Sequence, residues 1–435
     1  MTTTEPPLDL WRILAAADAA SPVDAIEAVA TELAQSFGAD AVSFLIADMG
    51  GRALIRLGHV TSPNSAAGVR IDEEESATPF PLDGGPAEQT LRTQTVQVLS
   101  PGDAHGIADR WRVLAPVTER GDVIGLLEMT LAEKPTAETL STIARVGHLL
   151  SHVVSSNSRH TDLFEWGQRS RPVTLSAEIQ HRLLPLSRTC EAAAFTLAGW
   201  LEPAASIGGD TFDYSLARDL LHFSLTDAMG HGVGSSLTAT VGVSSLRGSR
   251  RAGATLVEAV QEANAALCRH AARAGEDDFA TGLIGRVDLK NRVLEVVNAG
   301  HAVPFLIRSG QVSEVDLTPD LPLGMFADTV YSSTQVVLVP GDRMVFVTDG
   351  MLERRGSLVD LPRILAETGR LHPREAVRHM ADEALEAAGH QLADDATILC
   401  LDWHGDHVDQ DDDHGDPGRS AVAGADPWRA SAPLD

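Results

Sequence analysis

The chain has 435 residues, with 34 Lys and Arg against 61 Asp and Glu, and a formal net charge of -27. One core rarely grows past about 250 residues, so two or three domains are expected. An apolar fraction of 43% is enough for real cores and excludes global disorder, while the acidic balance argues against nucleic acid as a partner, because phosphate contact needs a basic face. No apolar run approaches the ~18 residues of a membrane helix, and Met1-Thr2-Thr3-Thr4-Glu5 lacks the basic then apolar start of a signal peptide. A cytoplasmic protein with no membrane attachment is the expectation. Cys190, Cys268 and Cys400 are isolated, with no CxxC pair, and are expected as reduced, buried, small apolar residues.

After an N-terminal segment, 1–19, that carries Leu10, Ile13 and Leu14 at helical spacing, a second helical pattern runs through Ala25, Ile26, Val29, Leu33 and Phe37 and stops at Gly38. β-like runs follow at 41–47, 53–60, 95–99, 111–117 and 123–131. Turn signals separate them, notably Met49-Gly50-Gly51 and Arg120-Gly121-Asp122, the latter inside a hairpin. Leu140, Ile143, Val146, Leu149 and Val153 mark a third helix. Helix, helix, antiparallel strands, helix is an α+β sensory architecture. With the closing run "GDVIGLLEMTLAEKPTAETLSTIARVGHLLSHVV" it resembles a GAF domain over about residues 20–157. No haem- or bilin-holding residue stands out and the segment has no Cys, so its small-molecule or protein input is unassigned.

Residues 158–188 read as a helical linker and an opening helix, in which Leu175, Ile179 and Leu183 share one face and must pack on something. Either the helix is simply docked on the following domain or its docking changes with the state of the N-terminal domain. Strand runs then recur at 194–200, 221–226, 281–287, 293–298, 303–307, 335–339, 343–348 and 396–402, with helical segments at 234–246, 256–274, 361–367 and 374–388. Many antiparallel strands and a few long helices predict a β-sandwich flanked by helices. The last stretch, 404–435, has eight Asp, two Arg and almost no large apolar residue, which predicts a disordered acidic tail.

Four acidic clusters in this second region sit at the ends of apolar strand runs or beside glycine: Gly208-Gly209-Asp210, Thr226-Asp227-Ala228, Thr348-Asp349-Gly350 and Asp394-Asp395-Ala396. Singly, each reads as a turn. Carboxylates gathered on neighbouring strand ends would repel unless hard cations with oxygen ligands held them.

Their order and spacing, within "ASIGGDTFDY", "LTDAMGHGVGSSLTAT", "FATGLIGRVD", "LEVVNAGHAVPFLI", "LVPGDRMVFVTDGMLE" and "DDATILCLD", resemble the SpoIIE-type, RsbU-like branch of the metal-dependent protein serine/threonine phosphatases (PPM family) over residues 172–403. "SAEIQHRLLP" looks like the helix that opens these domains. The resemblance implies an α-β-β-α sandwich and two divalent cations, Mn²⁺ or Mg²⁺. It implies that Asp227 bridges both, with the Ala228 carbonyl as a further ligand, that Asp349 and Asp394 hold the first and that Asp210 holds the second. Asp395 is expected on the opposite side of its strand, as a surface or supporting residue. Two such cations activate water for in-line attack on phosphorus without a covalent intermediate. His231 has the chemistry of a general acid, but relatives carry Lys or Asn there, and a loop role is expected; His301 is expected to shape a turn beneath the site. No phosphate-binding arginine is identified.

The resemblance further implies a phosphorylated STAS-type anti-sigma factor antagonist as substrate and partner, governed by the GAF-like domain, with a homodimer through residues 138–157 as one route of control. Two other readings compete. Gly208-Gly209-Asp210-Thr211-Phe212 looks like the signature turn of diguanylate cyclases, but Thr211 replaces its second acid. A non-catalytic scaffold with a phosphatase-like domain is the alternative that metal-dependent phosphate release would decide.

Overall fold

A computed structural model describes residues 10–61, 79–107, 109–169, 174–203, 209–275, 277–354, 357–358, 360–389, 392 and 394–405. The expected acidic tail beyond Gly405, and Gly208 of the glycine pair, lie outside the described residues. The chain divides after Pro172 into two compact units.

In the first unit, helices α1 (Leu10–Ala19) and α2 (Ala25–Phe37) lead into strands β1 (Ala41–Ala47), β2 (Ala53–Thr61) and β3 (Phe80–Pro81). Helix α3 (Pro86–Thr93), strands β4 (Gln97–Leu99), β5 (Trp111–Glu119) and β6 (Asp122–Leu131), and helices α4 (Ala137–Asn157) and α5 (Leu163–Gly167) complete it. Helix α2 ends where Gly38 adopts φ 58 and donates to Ala34 O, a left-handed cap that L-residues resist. Arg120 (φ 46) and Gly121 (φ 84) form the two-residue hairpin loop between β5 and β6, matching the strand twist. The described strands form an antiparallel sheet in the order β3-β2-β1-β6-β5-β4. Strand alternation sends Val42, Phe44 and Ile46 to the face covered by α1, α2 and α4, and Leu45 to the other face with Leu91 of α3. Helix α3 escapes the periodicity because it buries only Thr90 and Leu91. Within the 158–188 segment, α5 inserts Phe164 into the first core.

The second unit runs through α6 (Leu175–Leu183), β7 (Thr189–Ala192), β8 (Phe195–Glu202), β9 (Thr211–Leu216), β10 (Leu220–Ala228), α7 (Val233–Arg251) and α8 (Leu256–Ala274). Then come β11 (Ala280–Asp288), β12 (Val293–Ala299), β13 (Phe305–Arg308), β14 (Gln311–Glu314), β15 (Pro319–Asp320), β16 (Thr334–Val337), β17 (Arg343–Val347), β18 (Glu353–Arg354) and β19 (Ser357–Leu358). Helices α9 (Leu361–Thr368) and α10 (Pro373–Ala387) precede the last strand, β20 (Ala396–Trp403). One sheet is ordered β15-β12-β11-β10-β9, with β16 also on β12, and the other β14-β13-β17-β20-β8-β7. Phe195, Phe212, Phe223, Leu283, Phe346 and Leu399 fill the space between the sheets. Helices α7 and α8 cover the outer face of the first sheet, and α9 and α10 that of the second. The layers are therefore α, β, β, α. Of the three free thiols only Cys400 is buried; Cys190 and Cys268 are partly exposed, contrary to expectation.

The face of α6 also differs from expectation. Leu183 is buried, but Leu175 is 64% exposed, and Ser176 and Gln180 point inward instead. The cause is polar: buried Gln180 bonds into the neighbouring strand ends, which rotates the first turn of the helix outward at Leu175. Arg247 of α7 pins the other end of α6, donating to Leu183 O at 2.6 Å and to Asp213 of β9 at 2.8 Å. Among the described residues no helix is long and apolar enough to cross a membrane.

Gly199 of β8 faces Phe212 across the sandwich, and a Cβ there would lie 2.4 Å from the ring. Gly199→Ala is expected to cost about 1–3 kcal/mol through overpacking, read as an earlier midpoint in urea unfolding.

Candidate active site

The pairing of β9 with β10 aligns Thr211 with Thr226, which places Asp210, just before β9, beside Asp227, near the end of β10. On the second sheet Asp349 follows β17, and Asp394 and Asp395 precede β20, whose Ile398 pairs with Val347. Two hydrogen bonds join the sheets at this end. Asp210, 2% exposed, accepts at one oxygen, Oδ2, from Thr348 Oγ1 at 2.7 Å and Thr397 Oγ1 at 2.6 Å. The two threonines brace each other: Thr397 N donates to Thr348 Oγ1 at 2.9 Å, and Thr348 N to Thr397 O at 3.0 Å.

The carboxylates share one electrostatic field. Burial, then the charges of Asp227 and Asp395, push Asp210 well above the usual carboxylate range, against the threonine hydrogen bonds. Burial and the charges of Asp349 and Asp394 raise Asp227 to about 7, while a hydrogen bond with Asp210 works the other way. Asp394 is raised by burial and by Asp349, and eased by the Asp395 N–H and by His231. Asp349 and Asp394 face solvent, Asp227 is half-buried and Asp210 is buried. The structure thus brings all four expected carboxylates to one end of the sandwich. Among the described residues no three carboxylate, imidazole or thiol groups close into one ligating cluster. The donors are all hard oxygens that repel one another, which is the chemistry a divalent cation relieves.

Backbone approach is tight on both sheets. A Cβ on Gly209 would lie 2.5 Å from the Ala228 carbonyl oxygen, and one on Gly350 would lie 2.0 Å from Asp395 O. These glycines let strand ends bearing Asp210, Asp227, Asp349 and Asp394 meet without a side chain between them.

The surface alternative for Asp395 does not hold. It is 1% exposed and accepts from Gln180 Nε2 at 2.5 Å, while the same amide nitrogen donates to Asp210 O at 2.8 Å. Gln180, Thr348 and Thr397 are the site residues that the sequence reading passed over. For the threonines a signal existed: each is a polar residue at the edge of an apolar strand run beside an aspartate. For Gln180 none did, since its partners lie 30 and 215 positions away.

His301 shapes the turn, as expected. Its backbone N–H donates to Asn298 Oδ1 at 2.7 Å, and Asn298 Nδ2 donates back to His301 O at 3.1 Å. Nε2 faces the Val347 carbonyl at 3.1 Å, which only accepts, so Nε2 carries the proton and Nδ1 accepts from Thr281 Oγ1 at 2.7 Å. His231 is exposed in the loop after Asp227.

Burial lowers His301 from 6.5 to about 4. The unfolded chain therefore takes up the proton first as pH falls, so the stability this neutral imidazole contributes is complete above pH 6.5 and is lost between 6.5 and 4. The loss amounts to about 3 kcal/mol. His301→Gln is expected to flatten that part of the stability curve in urea titrations at stepped pH, and an unchanged slope would refute the assignment.

Residues 217–404 match the family model described as Stage II sporulation protein E (SpoIIE). Protein IcfG of Synechocystis sp. is 26% identical over 203 residues, 41% of this chain and 32% of the relative. Phosphoserine phosphatase RsbU of Bacillus subtilis is 22% identical over 235 residues, 53% of this chain and 69% of the relative. The chain thus spans about a third of the first of these relatives and about two thirds of the second. A crystal structure of the RsbU and RsbW domains of Rv1364c from Mycobacterium tuberculosis aligns with 25% identity and a TM-score of 0.43, covering 50% of this chain and 62% of that one. Asp227, Asp349 and Asp394 fall within residues 217–404, the stretch that matches the SpoIIE family model, and Asp210 lies just before it.

Proposed function

We propose that the protein is a metal-dependent protein serine/threonine phosphatase acting on phosphoserine or phosphothreonine. The observation that carries the proposal is the convergence of Asp210, Asp227, Asp349 and Asp394 from two sheets, with Asp210 raised partly by the charge of Asp227 and Asp227 by those of Asp349 and Asp394. The name of RsbU, a phosphoserine phosphatase, agrees with it.

Two divalent cations, Mn²⁺ or Mg²⁺, would be held by these residues, with Asp227 serving both, the Ala228 carbonyl as a further donor, Asp349 and Asp394 serving the first and Asp210 the second. When bound, such cations supply Lewis-acid polarisation of the phosphoryl group and a water of lowered pKa. The chain's own work is positioning. Thr348 and Thr397 hold one Asp210 oxygen and leave the other directed by a fixed carboxyl plane. Asp349 and Asp394 open the site to solvent, where a phosphorylated side chain of another protein can reach it. Burial and neighbouring carboxylates disfavour the charged forms of Asp210 and Asp227, and a bound cation would relieve both effects.

The substrate proposed is a phosphorylated STAS-type anti-sigma factor antagonist in the cytoplasm, with control from a GAF-like domain over residues 20–157. The linker and opening helix, 158–188, carry the signal to a catalytic domain over residues 172–403, ahead of the acidic tail. What supports a route is Gln180: from α6 it bonds both Asp210 O and Asp395 Oδ2, so a rotation of α6 moves the carboxylates' supports.

Asp227→Asn is expected to cut hydrolysis of p-nitrophenyl phosphate and phosphopeptides by at least about 100-fold, the scale of losing one charge-stabilising group, with an unchanged circular dichroism spectrum. EDTA should do the same to the unaltered protein, with Mn²⁺ restoring it alone; activity retained by the variant would sink the assignment. Gln180→Ala is expected to raise the Mn²⁺ concentration needed for half-maximal phosphate release. An unmoved metal titration would remove α6 from the control route.

A further inference from the structure

We infer that an apolar surface beside the carboxylates, made by Val233 and Leu237 of α7 and Met325 and Phe326 of the 319–331 loop, docks a phosphoserine-bearing segment of a partner protein whose flanking residues are apolar and basic. The inference rests on the phosphatase reading above.

Scattered exposed apolar residues are ordinary; these are not scattered. The N-terminal half of α7 turns small and polar residues inward, Ser235, Ser236, Thr238, Ala239 and Gly242 being buried, whereas its second half buries Val243 and Leu246 as an ordinary surface helix does. Val233 and Leu237, one turn apart, stay 42% and 45% exposed. In the 319–331 loop Met325 and Phe326 are 38% and 53% exposed although their backbone is held. Buried Asn264 accepts from Gly324 N at 2.7 Å and donates to Phe326 O at 2.9 Å. Their exposure is thus built into an anchored loop.

Both edges rest on one floor, the stretch 278–280. Thr238 Oγ1 donates to Asp278 Oδ2 at 3.3 Å on the α7 side. On the loop side Ala280 and Leu323 exchange backbone hydrogen bonds at 2.9 and 2.8 Å. Ala280 is also the ladder partner of Ala228, and Met229 N donates to Phe279 O at 3.0 Å. The apolar surface is therefore continuous with the strand end that carries Asp227.

Charge selects the occupant. Segments 227–238, 275–280 and 319–331 contain no Lys or Arg, and Asp277 and Asp328 stand exposed beside the apolar side chains. A segment with apolar residues for the surface and Arg or Lys for its rim complements this, while an acidic segment is repelled. The geometry places those residues next to the phosphorylated serine, whose phosphate enters among the carboxylates.

The test uses the full chain with Mn²⁺ and three probes: p-nitrophenyl phosphate, a phosphoserine peptide flanked by Leu and Arg, and the same peptide flanked by Gly. The unaltered protein is expected to favour the Leu/Arg peptide by roughly 10-fold in kcat/KM, mostly through KM. The Leu237→Ser/Phe326→Ser double variant should lose that preference while hydrolysing p-nitrophenyl phosphate normally, with each single change giving part of the effect. Equal turnover of both peptides by the unaltered protein overturns the inference and leaves the phosphatase reading standing. So does an equal fall on p-nitrophenyl phosphate in the variants, or loss of a dimer with the preference intact, which would make the surface a contact between two copies. Failure to hydrolyse any probe overturns both.

Discussion

A buried carboxylate is the constraint on which the second unit turns. Asp210 lies between two sheets and accepts from Thr348 and Thr397, both on the opposite sheet from β9. Such a group is costly to bury unless its oxygens are bonded, so the hydrogen bonds fix the relative position of β9, β17 and β20 at this end. The apolar middle of the sandwich supplies most of the cohesion, but apolar contact is not directional. The polar bonds at the end set where the strand ends stop and which groups they present.

The same constraint explains the glycines and the supporting polar residues. Gly209 and Gly350 occur where one strand end approaches a carbonyl of its neighbour too closely for any side chain. Gln180 satisfies Asp395 and the Asp210 carbonyl oxygen together, tying the opening helix to groups on both sheets. Arg247 and Asp213 secure the far end of that helix. A neutral His301 with an assigned tautomer braces the turn after β12 against β17. Stability and site geometry thus share the same few bonds, and a change at α6 reaches the carboxylates through two contacts rather than through general flexibility.

Much of the fold was legible because its signals are local. The pattern Ala25, Ile26, Val29, Leu33 needs only a helical period, and Arg120-Gly121 needs only a turn that tolerates positive φ. Two elements were missed: α3 buries only two residues, and β9 is a short strand of six residues whose alternation of Phe212, Tyr214 and Leu216 ends on an exposed side chain. Leu175 shows the opposite failure. Its spacing with Ile179 and Leu183 is helical, but the buried amide of Gln180 decides which face turns inward.

By itself the sequence determined where the strongly patterned helices and strands lie, that carboxylates beside glycine recur at the ends of apolar runs, and that the chain is strongly acidic, since each is read from composition or from neighbours within a few residues. Only the tertiary structure decided that Asp210 would bond Thr348 and Thr397, 138 and 187 positions away, that Asp395 would be buried and that α7 would turn Val233 and Leu237 outward. Those outcomes depend on strand register and on competition for buried hydrogen-bond partners, which exist only once the two sheets have closed on each other.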